Sequence, residues 1–261
     1  MEIRAAPHWH MVDFVSDLHL QAQEPETLNA LALYLAQTPS QALFILGDLF
    51  EVWVGDDALQ SKDGSQQPVV ELLHQASRRL DLFIMCGNRD FLMGRQLMDA
   101  CGAQQLDDPS VLQAGALRLL LTHGDALCLD DLPYQAFRSQ VRSAAWQHQF
   151  LSQALAQRLA QARQMRAQSE AQKLTLAQKQ AHWIDLDTKA CLALLAAHGA
   201  DHMVHGHTHH PARHDVGSGH VRWVLSDWDL HAPVPRADAL RLRVADGSIE
   251  RVDLATAISP P

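Results

Sequence analysis

The sequence predicts an α/β fold whose parallel strands end in a shared polar site. Three observations predict it. Short apolar runs repeatedly stop at a polar residue able to bind a metal. Stretches with helical apolar spacing lie between several of these runs. One long segment, rich in Ala, Gln, Leu and Arg, breaks the alternation. Short runs of Val, Ile, Leu and Phe bounded by Gly or Asp read as buried strands. Strands alternating with helices imply a parallel sheet, and the ligand site of such a sheet lies beyond the carboxyl ends of its strands.

Taken in order, residues 11–16 form a strand that runs into Asp17-Leu18-His19. Residues 27–37 form a helix, with Leu28, Leu31 and Leu35 on one face. Residues 42–46 form a strand entering Gly47-Asp48, and residues 69–80 a second helix. The strand at 82–86 enters Gly87-Asn88-Arg89-Asp90, and that at 117–122 enters His123-Gly124-Asp125. Residues 135–200 have the propensities of long helices and carry Phe150, Leu151, Leu155, Leu159, Ala162 and Met165 as an apolar stripe. They read as a helical insertion within a single domain spanning 1–261. Strands at 202–204 and 221–225 then enter His205-Gly206-His207 and Ser226-Asp227-Trp228, and segments 239–244 and 249–254 form a terminal hairpin.

The formal charge of -9 excludes a general nucleic-acid binder, because such affinity needs clustered Lys and Arg. The four cysteines form no CxxC pair and read as reduced thiols of a cytoplasmic protein. Residues 1–12 hold no apolar signal segment. No uncharged apolar run approaches the ~18 residues needed to cross a bilayer, so membrane contact would be peripheral. Nothing in the sequence calls for an obligate protein partner.

The strand ends collect Asp17, His19, Asp48, Asn88, His123, His205 and His207. Asp, His and Asn together suit divalent transition metals, and the absence of Cys argues against soft structural zinc. Asp48 stands alone on its strand end and has two oxygens, so it is the natural bridge between two ions. Asp17 and His19 are two apart and can face one ion from a turn; His205 and His207 have the same spacing. Any one of these motifs is common by chance, but their ordered occurrence at successive strand ends is not. Two such cations would lower the pKa of a water molecule and offset charge on a phosphoryl group.

These motifs resemble those of the calcineurin-like metallophosphoesterases over about residues 12–228. The resemblance implies a four-layer α/β/β/α sandwich, with the insertion as a lid. One ion would be held by Asp17, His19, Asp48 and His207, the other by Asp48, Asn88, His123 and His205. Longer strings, such as Gly47-Asp48-Leu49-Phe50-Glu51-Val52-Trp53 and Gly87-Asn88-Arg89-Asp90-Phe91-Leu92, resemble the UDP-2,3-diacylglucosamine hydrolases. That family implies pyrophosphate hydrolysis of UDP-2,3-diacylglucosamine, Mn2+ as the metal, and a place in lipid A synthesis. Asp48 and Arg89 would be catalytic. Asn88, Arg89, Asp131, Tyr134, Ser169, Lys173 and His205 would contact substrate, although Lys173 stands where the family pattern has Asn.

Many members of the superfamily have His where this chain has Arg89. A guanidinium can hold phosphate oxygens bidentately; the alternative reading of Arg89 is an ion pair with Asp90. Residues 135–180 hold seven basic residues and one acid, Glu170. A basic amphipathic segment reads as binding an anionic membrane surface, here the cytoplasmic face of the inner membrane. Rival readings are a nucleotide phosphodiesterase and an inert recruitment module. Arg89 argues against the first, and the intact ligand motifs argue against the second.

Overall fold

The computed structural model describes residues 1–61, 64–178 and 185–255, without the side chains of residues 168–178. The chain forms β1 (Glu2–Arg4), β2 (Met11–Val15), α1 (Pro25–Gln37), β3 (Ala42–Leu46), α2 (Gln67–Ser77), β4 (Asp81–Met85), α3 (Arg95–Cys101), β5 (Ala103–Leu106), β6 (Ser110–Ala114) and β7 (Leu117–Thr122). It continues through α4 (Leu132–Val141), α5 (Ala144–Leu151), α6 (Leu155–Gln178), α7 (Thr188–His198), β8 (His202–His205), β9 (Ala212–Gly217), β10 (His220–Val224), β11 (Asp238–Arg243) and β12 (Ile249–Asp253).

The strands divide into two sheets, ordered β12-β11-β2-β3-β4-β5 and β1-β6-β7-β8-β10-β9. Alternation alone reads as one parallel sheet. In the structure the strands that carry the sequence motifs are parallel within each half: β2, β3 and β4 in the first, β7, β8 and β10 in the second. The terminal hairpin β11–β12 adds antiparallel to β2.

Both sheets bury both faces, which is why their central strands are apolar without alternation. Phe14, Phe44, Leu46, Leu119, Leu121 and Leu242 fill the space between the sheets. Phe44 stacks on Phe83 there, with ring centroids 4.5 Å apart. The outer face of the first sheet packs on α1, α2 and α3 through Leu31, Leu35, Leu73 and Leu97. On the second sheet, Val111, Leu120 and Met203 pack against Cys191 and Leu195 of α7. The layers are therefore helix, sheet, sheet, helix.

Local chemistry sets the helix ends. Pro25 opens α1, where a missing N–H costs no hydrogen bond. Asp187 caps α7 by accepting the Ala190 N–H at 2.7 Å. Gly199, at φ 55°, ends that helix in the left-handed conformation.

The helical run expected at 135–200 is not uniform. Its last helix, α7, belongs to the outer layer of the second sheet. In α5 and α6, Phe150, Leu155, Leu159, Ala162 and Met165 pack against the core of the first sheet, and Leu151 of the same stripe stays 43% exposed. The basic residues also differ from the expected solvent-facing stripe. Arg158 is 1% exposed; it donates to the Val54 carbonyl and to Asp57. Arg138 and Arg142 reach Asp125 and the Gly87 carbonyl, at 2.8 Å each. Arg166 reaches Glu51 at 2.7 Å, while Arg163 is exposed. Four of these five arginines thus bind the domain itself, donating to buried Asp125, to partly exposed Glu51 and Asp57 and to the Gly87 and Val54 carbonyls.

A candidate metal centre

The strand ends bring the polar residues together on strained backbone. Asp17, His19, Asp48, His207 and His209 all have positive φ, between 49° and 65°. Each such non-glycine residue costs on the order of 1–2 kcal/mol, and strain of this kind clusters at functional sites. Two glycines make the close approach possible. A Cβ on Gly87 would lie 2.1 Å from Asp48 Oδ1, and one on Gly206 would lie 2.3 Å from Asp17 Oδ2.

On one side, Asp17 Oδ1 lies 3.2 Å from His209 Nε2 and 3.9 Å from His19 Nε2. The two imidazole nitrogens are 3.4 Å apart. Asp17 Oδ2 is engaged elsewhere, accepting from Ser16 Oγ at 2.5 Å and the His207 N–H at 2.9 Å, which leaves Oδ1 for the cluster. On the other side, Asn88 Oδ1 lies 2.8 Å from both His123 Nε2 and His207 Nδ1. The Leu46 carbonyl lies 2.9 Å from His123 Nδ1; it can only accept, so Nδ1 donates to it and Nε2 is the nitrogen turned toward Asn88 and the cluster. Asp48 spans the two sides, with Oδ1 3.8 Å from His123 and Oδ2 4.0 Å from His19 Nδ1.

The electrostatics call for cations. Burial alone would lower the basicity of His123, but the Asp48, Asp17 and Asp125 carboxylates overcome it and raise its pKa to about 9. Burial and the neighbouring His123 push His207 down to about 3, so its imidazole is neutral and ready to coordinate. Burial and Asp17 raise Asp48. Asp90 is pushed up to about 7 by burial and by Asp48. It accepts the Gly87 and Leu49 N–H groups at 2.7 Å each and so locks the two ligand loops together. Buried carboxylates, imidazoles and an amide oxygen converging on one place fit divalent metal ions. Asp17, His19 and His209 form one set of mutually close ligand atoms, and Asp17, Asp48 and His123 another.

The Calcineurin-like phosphoesterase family matches residues 10–211, a span that contains every one of these residues. The chain belongs to that family. It is 41% identical over 227 residues to the UDP-2,3-diacylglucosamine hydrolase of Bordetella pertussis, covering 85% of this chain and 87% of the relative. It is 43% identical over 236 residues to the protein of the same name from Xanthomonas campestris pv. campestris, covering 87% and 94%. A dimetal phosphatase from Danio rerio shares the fold, with a TM-score of 0.52 at 14% identity over 93% of this chain and 95% of that one.

Within this calcineurin-like phosphoesterase, six of the seven residues read from the strand ends converge: Asp17, His19, Asp48, Asn88, His123 and His207. His205 does not join them. It is still part of β8, and its Nδ1 lies 2.8 Å from the Gly206 carbonyl. Its ring packs over Gly124. Burial and Arg222 push its pKa down to about 4. The chain leaves the strand only after His205, so the left-handed turns aim His207 and His209 into the cluster instead. His209 is the residue that sequence reading missed, and its ring is also held from behind, with Nδ1 3.5 Å from Asp227 Oδ2. The signal was present: three histidines at alternate positions offer two Asp17/His19-like pairs, and Gly206 marks where the strand ends.

Arg89 does not pair with Asp90. Its guanidinium binds Glu51 and lies 3.5 Å from Asp48 Oδ2. Asp131 caps α4, accepting the Tyr134 N–H at 3.1 Å. The Tyr134 hydroxyl donates to Asp125, and its ring lies 5.9 Å from that of His207. Ser169 and Lys173 lie on α6, but their side chains fall outside the described residues.

Proposed function

We propose that this protein hydrolyses the pyrophosphate bond of UDP-2,3-diacylglucosamine, giving UMP and 2,3-diacylglucosamine 1-phosphate, a step of lipid A biosynthesis. The observation that carries this reading is the level of identity to relatives with that named activity, 41–43% over most of both chains. Those matched lengths leave room for the whole ligand set and for α4–α6.

In this reading Asp17, His19, Asp48 and His209 hold one ion, and Asp48, Asn88, His123 and His207 hold the other. The ions, Mn2+ by preference, supply Lewis acidity toward water and phosphoryl oxygens. Arg89 leaves Glu51 to bind a substrate phosphate oxygen, where a guanidinium can stabilise developing negative charge. Tyr134 and Asp131 line the path from α4, with Ser169 and Lys173 further along the insertion. The helices α4–α6 cover the two acyl chains. Exposed Leu129, Leu132 and Phe137 at the start of α4 support peripheral docking on the cytoplasmic face of the inner membrane. Among the described residues, no helix is long and apolar enough to cross a membrane.

The test is turnover of UDP-2,3-diacylglucosamine with added Mn2+ in oxygen-18 water, set against a generic phosphodiester. Attack at the α-phosphorus places the label on UMP. Label on the lipid phosphate, or a preference for the generic diester, would sink this reading.

A further inference from the structure

Glu51 follows the Gly47-Asp48 loop at the end of β3 and sits where three cationic or ligand groups meet. Its carboxylate binds the Arg89 guanidinium. Its Oε1 lies 2.7 Å from Arg166 Nε of α6. Its Oε2 lies 3.7 Å from His19 Nδ1. The side chain of Glu51 is only 19% exposed and that of His19 only 13%, so water competes weakly for these contacts.

The His19 ring has two distinct nitrogens. Nε2 faces Asp17 and His209, inside the candidate metal set. Nδ1 is buried and has no hydrogen-bond partner among the described residues. A metal-binding imidazole uses one nitrogen for the ion, and the N–H on the other donates to an acceptor that fixes its tautomer and tilt. Two carboxylates are within reach of Nδ1. Asp48 Oδ2, at 4.0 Å, belongs to the ligand set. Glu51 Oε2 is nearer and is not a candidate ligand.

We propose that Glu51 is a positioning residue of the metal centre: its carboxylate accepts from His19 Nδ1 and so aims Nε2 at the ion, while it holds Arg89 and, through Arg166, ties α6 to the same loop. This rests on the reading of the cluster as a metal site. One carboxylate thereby couples a ligand, the phosphate-facing arginine and the helical insertion. Closing Glu51 onto His19 needs a shift of less than 1 Å to reach hydrogen-bond distance.

Equilibrium metal binding to the purified full chain tests this, using Mn2+ titration of metal-free protein monitored by calorimetry. The wild type, Glu51→Gln, Glu51→Ala and Arg166→Gln are compared, with circular dichroism as a check on folding. The expected result is that Glu51→Gln weakens the more sensitive Mn2+ site about 10-fold and Glu51→Ala up to about 100-fold. Arg166→Gln should leave both sites within twofold, because it breaks only the tie to α6. Where Glu51→Ala does not fold, Glu51→Gln alone decides. Unchanged Mn2+ affinity in a folded Glu51→Gln protein overturns the proposal, and so does equal weakening by Arg166→Gln. Failure of the wild type to bind Mn2+ instead overturns the metal reading beneath it.

Discussion

His209 Nε2 and Asp17 Oδ1 meet at 3.2 Å across a sequence separation of 192 residues. The histidine is raised above its usual pKa by Asp17 and Asp227 despite its burial. This contact, rather than one with His205, completes the cluster around Asp17. His209→Gln should therefore leave at most one tightly bound ion and lower kcat by at least about 100-fold. His205→Gln should keep two ions and stay within about threefold of wild-type activity. Metal content after dialysis, measured beside turnover, checks both. Two bound ions in the His209 variant would return His205 to the ligand set.

Arg158 offers a second test. Its guanidinium is buried against the Val54 carbonyl and Asp57, so Arg158→Ala should destabilise the fold by about 1–3 kcal/mol. The lower part of that range follows from Asp57, whose side chain is 54% exposed and can be rehydrated. Urea unfolding measures it. Liposome binding, in contrast, should respond to Leu132→Asp, at the exposed apolar edge of α4, more than to Arg158→Ala.

Between the sheets, Phe44 is fully buried and stacked on Phe83. Phe44→Ala removes a ring that neither sheet can move to replace, so it should cost about 3–5 kcal/mol. Loss of less than about 1 kcal/mol in chemical denaturation would mean that the inter-sheet layer collapses around the gap.

A pH effect follows from Asp185 and Arg222. Burial would raise the Asp185 carboxyl, but two hydrogen bonds from Arg222, at 2.7 Å each, hold it at about 2. The folded pKa lies below the unfolded value, so this pair adds stability that is complete above about pH 4 and disappears as pH falls through about 2. Asp185→Asn should flatten the acid limb of stability between those values, read from denaturation midpoints at pH 6, 4 and 3. An unchanged limb would show that other carboxylates dominate it.

Much of the architecture was legible in the amino-acid sequence. The runs at 11–16, 42–46, 82–86, 117–122, 202–204 and 221–225 all became strands, because continuous apolar residues bounded by Gly or Asp have few other stable fates. The edge strands β1, β5 and β9 and the inner strand β6 were not foreseen. β1, β5 and β9 are short or only partly buried, and β6 carries Ser110 and Gln113 among its apolar residues, so their pattern carries little signal. The helices within residues 135–200 were legible from propensity, but the charge pattern there misled. Composition counts an arginine without showing whether it faces water or, like Arg158, a buried carbonyl.

By itself, the sequence determined that Asp17, His19, Asp48, Asn88, His123 and His207 stand at the ends of buried strands, and that their donor types suit divalent metals. The family follows from the same strings. Only the tertiary structure decided which histidines reach the cluster. The strand period places His205, His207 and His209 on alternating steps that look equivalent in one dimension. The left-handed turns after Gly206 break that equivalence, because a backbone that leaves the sheet re-aims every side chain beyond the break. It was likewise the three-dimensional meeting of β3, β2 and α6 that set Glu51 beside His19, Arg89 and Arg166, a relation that no spacing along the chain encodes.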